Sequence, residues 1–533
     1  MMTPAAKSAP PSQPLQAEAE ARWSGGVRMA PLAHGGLLLA CDPKLLPELC
    51  GWLASERKFR FATLITEEAG ALWRLRYLFW GQDPTWVHVT VEIPVGQKAL
   101  PSISNGVHAA DWHERETEDL FGLTFEGHPR LGDFILHEEW PEGINPMRTG
   151  FGAREPYAAQ EVNPQWRPVR LVQIPGAFAM PVGPVFSDTA QASHFLLETV
   201  GEDVARTIPR LFYKYRGVEK LAEGEEPDRA LLMAERFSGT SAVAHAWAFC
   251  QAVERIAEVE VPPRARLLRA LLAEFERFRH HLGAVSDIIH STGMTVASSQ
   301  ADMLEEEALR LAGACAGHRY LFGQVVPGGL AKDWPGERIE ALVGGAEGLA
   351  GRLAKLSKML RFSGSFLDRL EQVGLVSTAQ ARHFGLVGPI ARASGVEDDL
   401  RVNLPYGPYG SLLPPQVAVE SEGDGYARLR ILLAEALASA RLMRSAASQI
   451  PGGPVRVEVP PREGEALGWT EAPRGAAFHW LGLDGEGRVA RYRLTTPSFI
   501  NWHGFHLAAE RFAFQDFPII MATFGLSTAE GDR

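Results

Sequence analysis

Cysteine is scarce in this sequence. Four of the 533 residues are cysteines, at Cys41, Cys50, Cys250 and Cys315, and no two of them form a C-x-x-C pair. Disulfide frameworks and cysteine-rich zinc or iron–sulfur sites depend on suitably spaced cysteines. The sequence therefore argues against both kinds of site, and we interpret the four residues as buried apolar thiols.

Long apolar runs and an excess of positive charge are also missing. The longest apolar run, Phe517 to Leu526, has about half of the roughly 20 residues that a membrane-spanning helix needs. The sequence has 53 lysines and arginines and 64 aspartates and glutamates, which gives a formal net charge of -11. Nucleic-acid binding depends on clustered cations, which this balance does not favour. We therefore expect protein partners, no nucleic acid and no membrane-spanning helix.

The start of the chain is rich in proline, alanine and serine, and it lacks the apolar segment of a secretory signal. We predict a disordered lead-in over residues 1–21 of a cytoplasmic protein. Hydrophobic residues make up 46% of the sequence, which is enough to bury a sizeable core in two or three domains.

Residues 22–144 combine a helical pattern with alternating apolar segments, which predicts a small α+β domain. Segments of β type lie at Phe61 to Thr66, Trp73 to Trp80 and Trp86 to Ile93, and the turn at Gly81 to Pro84 predicts a hairpin. A helix rich in carboxylates is predicted at Ala110 to Phe121. Glycine and proline without periodicity mark residues 145–167 as a linker.

Residues 168–533 form the second predicted domain, a mainly α-helical bundle with small antiparallel sheets. Apolar residues recur every three or four positions from Leu268 to Leu282, and similar spacing is present at residues 303–322, 345–371 and 426–446. Near the end, Phe478 to Leu483 and Val489 to Leu494 flank a turn, which predicts a second hairpin. The predicted fold class is therefore α+β.

The most specific motif lies early in the second domain. Arg216-Gly217-Val218-Glu219 is followed after sixteen residues by Arg236-Phe237-Ser238-Gly239-Thr240-Ser241, with His245 four positions further on. The pattern resembles the large subunit of nickel–iron hydrogenases, in which R-G-x-E and R-x-C-G-x-C-x-x-x-H have the same spacing. Two ligand cysteines of that family correspond to Ser238 and Ser241.

The end of the sequence resembles the second cysteine motif of the same family, D-P-C-x-x-C-x-x-R. That motif falls on Gly525 to Arg533, so that Ser527 and Glu530 stand at the other two cysteine positions. The resemblance also leads us to expect no removable extension after Arg533. All four vestigial ligand positions therefore lack a thiolate.

Further motifs resemble the energy-converting, formate-hydrogenlyase-type branch (group 4) and the C and D subunits of complex I, fused in that order. The likeness implies a small α+β domain like the C subunit, followed by a bundle like the hydrogenase large subunit or the D subunit. The motifs are Glu114-Arg115-Glu116 with Asp119, Gly317-His318-Arg319-Tyr320, Gly388-Pro389-Ile390-Ala391-Arg392, Asp399-Leu400-Arg401, Glu471-Ala472-Pro473-Arg474-Gly475 and Pro497-Ser498-Phe499.

The substitutions at the ligand positions change the chemistry that the resemblance implies. Hydroxyls are hard donors that stay protonated near neutral pH, so they are poor ligands for nickel and iron. We expect no metal and no cofactor in this chain, an iron–sulfur cluster in a partner subunit, and no hydrogenase activity. The candidate pocket residues are Glu219, His194, His245, Arg474 and Glu530.

Some of these residues also have simpler interpretations. Glu219 could pair on a helix, Arg474 could be a loop cation, and the carboxylates from Glu114 to Asp119 could form a solvated face or a contact with another domain or subunit. We expect a buried Glu530 to contact Arg474 or the serine hydroxyls, because an unpaired buried carboxylate is costly. The histidines His280, His281 and His290 are interpreted as surface or satisfied core groups.

The resemblance to complex I raises the question of quinone binding. Of two histidines in a family loop, only the second is present, at His194, and Phe186 stands at the first position. The position of the family tyrosine that holds the quinone head falls on Gly239. A quinone contact through this tyrosine is therefore absent from the sequence.

Two functional hypotheses follow from the resemblance. The first is a coupling or scaffolding subunit of a membrane-associated redox or ion-translocating complex, lacking its own nickel–iron site. The alternative is an oxidoreductase subunit, related to NADH dehydrogenase, that passes electrons from an iron–sulfur partner to quinone or another acceptor in the vacated pocket. Both imply an iron–sulfur small subunit, antiporter-like membrane subunits and a peripheral position on the cytoplasmic side of the inner membrane.

Overall fold

The structure, a computed structural model, describes residues 12–32, 35–81, 85–153, 157–161, 172, 174–185 and 191–533. Contacts divide the chain into two compact units. The first unit is Met1–Leu136 with Trp140–Ala159, and the second is His137–Glu139 with Gln160–Arg533. The division after Ala159 falls inside the segment predicted to be a linker, residues 145–167.

The first unit is a small α+β domain. Its helices and strands are α1 Ser12–Arg22, β1 Val27–Pro31, β2 Leu37–Cys41, α2 Leu46–Ser55, β3 Arg60–Ala69, β4 Leu72–Trp80, β5 Trp86–Pro94, β6 Ala99–Pro101, α3 Asp111–Phe121 and β7 Thr124–Glu126.

One mixed sheet forms the core of this unit. Among the described residues its strand order is β1-β2-β5-β4-β3, and only the β2–β5 pair is parallel. Strands β4 and β5 pair antiparallel with Trp80 opposite Trp86, which confirms the predicted hairpin. Residues 82–84 of its predicted turn lie outside the described part of the chain.

The prediction of a disordered lead-in is wrong for the residues of α1. This helix buries Leu15 and Ala19, and Trp23 just beyond it packs edge-on against Trp52 of α2 at a centroid distance of 5.2 Å. Burial of these few apolar side chains outweighs the low hydrophobicity of the segment. Residues 1–11 lie outside the described part of the chain.

Helix α3 carries carboxylates that point into the unit. Ser102 Oγ and Ser104 Oγ donate to Glu114 Oε2 at 2.5 and 2.6 Å, and the amide of Ile103 donates to Oε1 at 2.9 Å. Asp119 accepts from the backbone amides of residues 134–136. The interpretation of α3 as a solvated acidic face is therefore wrong for both residues, because each is an internal hydrogen-bond acceptor.

The second unit is mainly helical. Its elements are β8 Ala177–Val182, β9 His194–Val200, β10 Asp203–Arg210, α4 Val218–Ala222, α5 Pro227–Arg236, α6 Ala242–Ile256, α7 Pro263–Ser291, α8 Thr295–Ala316, β11 Val325–Val326, β12 Gly329–Leu330, α9 Gly336–Leu360, α10 Gly364–Leu367, α11 Thr378–His383, α12 Gly388–Ala393, α13 Leu400–Asn403, α14 Gly425–Gln449, β13 Gly464–Ala472, β14 Gly475–Leu483, β15 Val489–Thr495, α15 Pro497–Ala508, β16 Phe512–Ala513, α16 Phe517–Phe524 and α17 Thr528–Gly531.

The long helices α7, α8, α9 and α14 pack together as the predicted bundle. Strands β13, β14 and β15 form an antiparallel sheet that contains the second predicted hairpin, and a further sheet has the order β16-β10-β9-β8. The α+β fold class is therefore confirmed. Helix α8 stops earlier than the apolar spacing predicts, because Gly317 adopts a left-handed conformation (φ 79°) that ends it.

In the parts of the chain that the structure describes, no helix is both long and apolar enough to cross a membrane.

The buried carboxylate of Glu114 generates a stability prediction. Substitution E114A should destabilise the first unit by about 2–4 kcal/mol, because the hydroxyls of Ser102, Ser104 and Tyr77 and one amide lose their acceptor while buried. Hydrogen exchange of residues 99–126 in the full chain measures the effect. The control E126A removes a carboxylate from an exposed position of β7. Equal protection of residues 99–126 from hydrogen exchange in E114A and E126A would contradict the prediction.

Candidate functional site

The vestigial ligand positions come together at one place in the second unit. Ser238 and Ser241 stand between α5 and α6, whereas Ser527 and Glu530 stand at the start and in the body of α17. Ser527 is the N-cap of α17, and its Oγ accepts from the amide of Glu530 at 3.2 Å. A serine favours this position because its hydroxyl satisfies an otherwise unpaired amide.

The carboxylate of Glu530 is the centre of the site, and its side chain is fully buried. Oε1 accepts from Ser238 Oγ at 3.2 Å and Ser241 Oγ at 3.0 Å, and Oε2 accepts from Ser498 Oγ at 2.5 Å. Three hydroxyls therefore take the place of solvent around this carboxylate.

Arg474 supplies the opposite charge from the turn between β13 and β14. Its Nη1 lies 3.3 Å from Glu530 Oε1 and donates to Thr240 Oγ1 at 2.7 Å, while Nε donates to the carbonyl oxygen of Gly525 at 2.6 Å. The turn packs on Gly388, where an added Cβ would lie 2.1 Å from the carbonyl oxygen of Arg474. This close approach requires a glycine and positions the backbone of the turn that carries Arg474.

These contacts determine the ionisation of Glu530. Burial alone would raise its pKa, but Arg474, His245 and the serine hydroxyls together hold the pKa below the ordinary value. The site is therefore an ionised carboxylate with a built-in counter-ion.

A row of aromatic hydrogen-bonding groups lies beside Glu530. His245 Nδ1 and His479 Nε2 are 2.9 Å apart, and Tyr492 Oη lies 2.8 Å from His479 Nδ1. Burial lowers the pKa of His245 to about 4, so its ring is neutral near pH 7. Its Nε2 is buried and has no hydrogen-bond partner among the described residues.

Comparisons with known proteins agree with this arrangement. Residues 39–157 match the family of the 30 kDa subunit of respiratory-chain NADH dehydrogenase, and residues 292–533 match that of its 49 kDa subunit. Residues 216–284 match the nickel-dependent hydrogenase family. The three matched segments together cover most of the chain.

Curated relatives match across both units. Formate hydrogenlyase subunit 5 of Escherichia coli is 29% identical over 82% of this chain and 78% of its own length. Hydrogenase-4 component G of the same organism is 26% identical over 83% and 77%, respectively. The fused C/D subunit of NADH-quinone oxidoreductase from Gluconacetobacter diazotrophicus is 27% identical over 84% and 81%. The chain is thus similar over most of its length to subunits of complex I and of hydrogenase-type complexes.

Within this family scaffold the candidate residues have different surroundings. Ser238, Ser241, Arg474 and Glu530 are in direct contact, as the sequence led us to expect for Glu530. Ser527 joins them through the backbone, since its hydroxyl caps Glu530 and its own amide donates to Ser498 Oγ at 3.2 Å.

Glu219 belongs to a separate ionic cluster. Its carboxylate accepts from Arg491 and Arg493 at 3.2 Å each and from the amide of Leu494 at 3.0 Å, and Arg533 Nε lies 3.7 Å away. Burial opposes ionisation, but these cations hold the pKa of Glu219 below its ordinary value. The simpler interpretation, a paired carboxylate on a helix, describes these contacts.

His194 begins strand β9 and is partly buried. Burial and then Arg210 lower its pKa, so the ring is neutral near pH 7. Three residues earlier, Gln191 accepts from the hydroxyl of Thr528 and from the amide of Ala529 at 2.8 Å. The loop that ends at His194 is thus attached to α17. Phe186 lies outside the described residues.

Sequence reasoning missed a buried ionic cluster in this family scaffold. Four carboxylates and three guanidiniums, all buried, link α7, α12 and α14 to strand β13 and the start of α13. A signal was present, since Glu274, Arg277 and His281 recur at helical spacing within an apolar pattern. The members are Glu274, Arg277, Arg392, Asp399, Arg401, Glu435 and Glu471.

The Arg474–Glu530 pair generates a prediction with a defined pH dependence. In the wild type the depressed pKa of Glu530 contributes stability above the unfolded-state pKa, and this contribution is lost as the pH falls. R474A removes the counter-ion, so the pKa of Glu530 should rise and the buried charge should destabilise the fold by about 3–5 kcal/mol at neutral pH. The penalty should shrink at acid pH.

A double-mutant cycle separates the ion pair from other effects of losing Arg474. Denaturant unfolding of the full chain is measured at about pH 5 and about pH 7.5 for wild type, R474A, E530Q and R474A/E530Q. We expect the double variant to be more stable than R474A at the higher pH. A double variant as unstable as R474A at both pH values would refute the pairing.

Proposed function

We propose that this chain is the coupling or scaffolding subunit of a membrane-associated redox or ion-translocating complex, without a nickel–iron centre of its own. The observation that supports this most directly is the set of contacts around Glu530. The groups at three of the four vestigial positions, Ser238, Ser241 and Glu530, bond to one another, and Arg474 neutralises the carboxylate.

The residues present do not fit a nickel–iron centre. Such a centre is held by soft thiolates, whereas the hydroxyls of Ser238 and Ser241 are hard donors already directed at Glu530. The guanidinium of Arg474 puts a positive charge 3.3 Å from the same carboxylate, which disfavours a divalent cation there. The remaining buried ring nitrogen, Nε2 of His245, cannot replace four thiolates.

The partners in this proposal come from the relatives. Their names describe them as subunits or components of formate hydrogenlyase, hydrogenase-4 and NADH-quinone oxidoreductase. For this chain we propose an iron–sulfur small subunit that carries the electron-transfer cluster, antiporter-like membrane subunits, and a peripheral position on the cytoplasmic face of the inner membrane.

Metal analysis tests the absence of a nickel–iron centre. The purified chain should bind less than about 0.1 nickel per molecule after loosely bound metal is removed, because the donors are hard and already paired. The matched variant S238C/S241C/S527C/E530C restores the thiols and should retain a soft divalent cation in equilibrium dialysis. About one nickel per wild-type chain would overturn the proposal.

A second candidate function is quinone reduction in the vacated pocket. The observation that favours it is the attachment of the loop before His194 to α17 through Gln191, which connects this loop to the helix that carries Glu530. His194 would first have to take up a proton from solvent, because its ring is neutral near pH 7, and the imidazolium could then pass that proton to a reduced quinone. Against it, Gly239 offers no hydroxyl to hold the quinone head.

A quinone-reduction assay of the assembled complex distinguishes this second function. If His194 is the proton donor, H194Q should lower the rate by about 100-fold, because general acid catalysis is lost. H290Q, at an exposed position of α7, is the control and should leave the rate unchanged. An H194Q complex that reduces quinone as fast as wild type would exclude this role.

A further inference from the structure

A small cavity lies next to Arg474. Its volume is about 20 Å³, and its polar lining residues are His280, Arg474, Asn501 and Thr523. Residues 522–526, at the end of α16, form one side. A volume of this size holds one water molecule when two or more polar groups can bind it. Nε and Nη1 of Arg474 are already bonded, which leaves Nη2 as its donor for such a molecule.

Two adjacent histidines lead from this cavity into the core. His280 Nδ1 lies 3.2 Å from His281 Nδ1, and His281 Nε2 lies 2.9 Å from Glu435 Oε2. Arg392 donates to the other oxygen of Glu435 at 2.7 Å. Although burial opposes it, Arg392 and His281 hold the pKa of Glu435 below its ordinary value, so this carboxylate is ionised.

The ionised carboxylate fixes the direction of both hydrogen bonds. Glu435 can only accept, so Nε2 of His281 donates to it. Burial lowers the pKa of both histidines, and a neutral imidazole that donates from one nitrogen accepts at the other. Nδ1 of His281 therefore accepts from Nδ1 of His280, and Nε2 of His280 is left as the acceptor of that ring.

The charges that face this row come from four elements. Arg474 reaches His280 from the β13–β14 turn, and Arg277 and Arg279 reach it from α7 itself. Glu435 on α14 and Arg392 on α12 face His281, as does Arg277. The cations disfavour a lasting charge on either ring. Because Arg392 and His281 hold the pKa of Glu435 low, a proton that reaches this carboxylate resides there only transiently.

The buried ionic cluster that includes Glu435 has one more carboxylate than it has guanidinium groups. Arg392 also contacts Glu471 at 2.8 Å and Asp399 at 3.7 Å, and Arg401 joins Asp399 to Glu274 at 2.7 and 2.9 Å. Four carboxylates thus face three guanidiniums, counted over the described residues. An uncompensated buried charge is costly, so the cluster gains by taking up one proton.

We infer that the cavity is a binding site for a single water molecule, and that this water, His280 and His281 form a proton relay from the Arg474 side of the pocket to the carboxylate cluster. The inference deepens the proposed function and rests on it, because a coupling subunit must link events in its pocket to charge inside the protein. It also assigns a role to His280 and His281, which the sequence alone left without one.

The transfer conserves charge and protons. The water passes a proton to Nε2 of His280 and is itself reprotonated from solvent or by a proton-releasing reaction in the pocket. The N–H bond at Nδ1 of His280 breaks as Nδ1 of His281 accepts its proton, and Nε2 of His281 gives its proton to Glu435. One proton enters and one reaches the carboxylate, and the reverse sequence restores both tautomers.

Nuclear magnetic resonance of the full chain labelled with 15N-histidine tests the relay. We expect His280 to be protonated at Nδ1 and His281 at Nε2. The Nε2 proton of His281 should exchange with solvent through the cavity water, faster than core opening alone would permit. A proton on Nε2 of His280 would overturn the inference, because that nitrogen could then accept nothing from water.

Filling the cavity provides the decisive comparison. A284V adds two methyl groups at a lining position and should displace the water, which slows exchange of the His281 proton by about tenfold or more. A522V fills the cavity from α16 and should have the same effect. His245 and His479 form a buried histidine pair that does not line this cavity, so their signals serve as the internal control and should not change.

The outcomes separate the relay from the proposed function. Unchanged exchange in both variants, with intact control signals, would refute the relay and leave the absence of nickel untouched. Nickel in the wild-type chain together with slowed exchange in the variants would refute the proposed function and keep the relay. If one variant fails to fold, as the control signals would reveal, the other still gives the comparison.

Discussion

The ion pair between Arg474 and Glu530 is the constraint on which the candidate site depends. A carboxylate with no exposure to solvent is tolerated only when cations and hydrogen-bond donors replace water. Arg474 is held by Gly525 and Thr240, and its turn packs on Gly388 at a distance that admits only glycine. The segments that meet at the pocket are therefore positioned by the requirement to keep one charge compensated.

The same requirement recurs elsewhere in the second unit. Glu219 is surrounded by Arg491, Arg493 and Arg533, and Glu435 is held by Arg392 and His281. Removing one member of such a set leaves a buried charge behind, which costs more than the set contributes when complete. These clusters thus make the helices and the β13–β15 sheet depend on one another through charge as well as apolar packing.

The family scaffold explains why a pocket exists at this place, and the substitutions explain its character. A site that converges on one point can hold a metal when its side chains are thiolates. With serines at three positions and a glutamate at the fourth, the same convergence produces a hydrogen-bonded carboxylate that needs an arginine. The chemistry open to such a pocket is proton and charge transfer, which agrees with the coupling role that we propose.

Several features followed from the sequence because they depend on local pattern. The hairpin of β4 and β5, the helices α7 and α14 and the second hairpin are set by apolar periodicity and turn residues. The contact between Glu530 and Arg474 could be anticipated from motif spacing and the cost of burying a carboxylate. Helix α1 was missed because its low hydrophobicity outweighed, in the prediction, its helix-forming residues and the few side chains that it buries.

The pairing of charged side chains that are far apart in the sequence could not be predicted from the sequence. Glu219 and Glu530 are both carboxylates in motifs with the family spacing, yet the fold surrounds one with three arginines and the other with serines and a single arginine. Likewise, Glu274 and Glu435 lie more than 150 residues apart on apolar helices, and only the packing of α7 on α14 brings them into one cluster. Sequence determined the elements, the family pattern and the loss of thiolates. Tertiary structure decided which buried charge meets which partner, because that depends on distances between segments that no local pattern encodes.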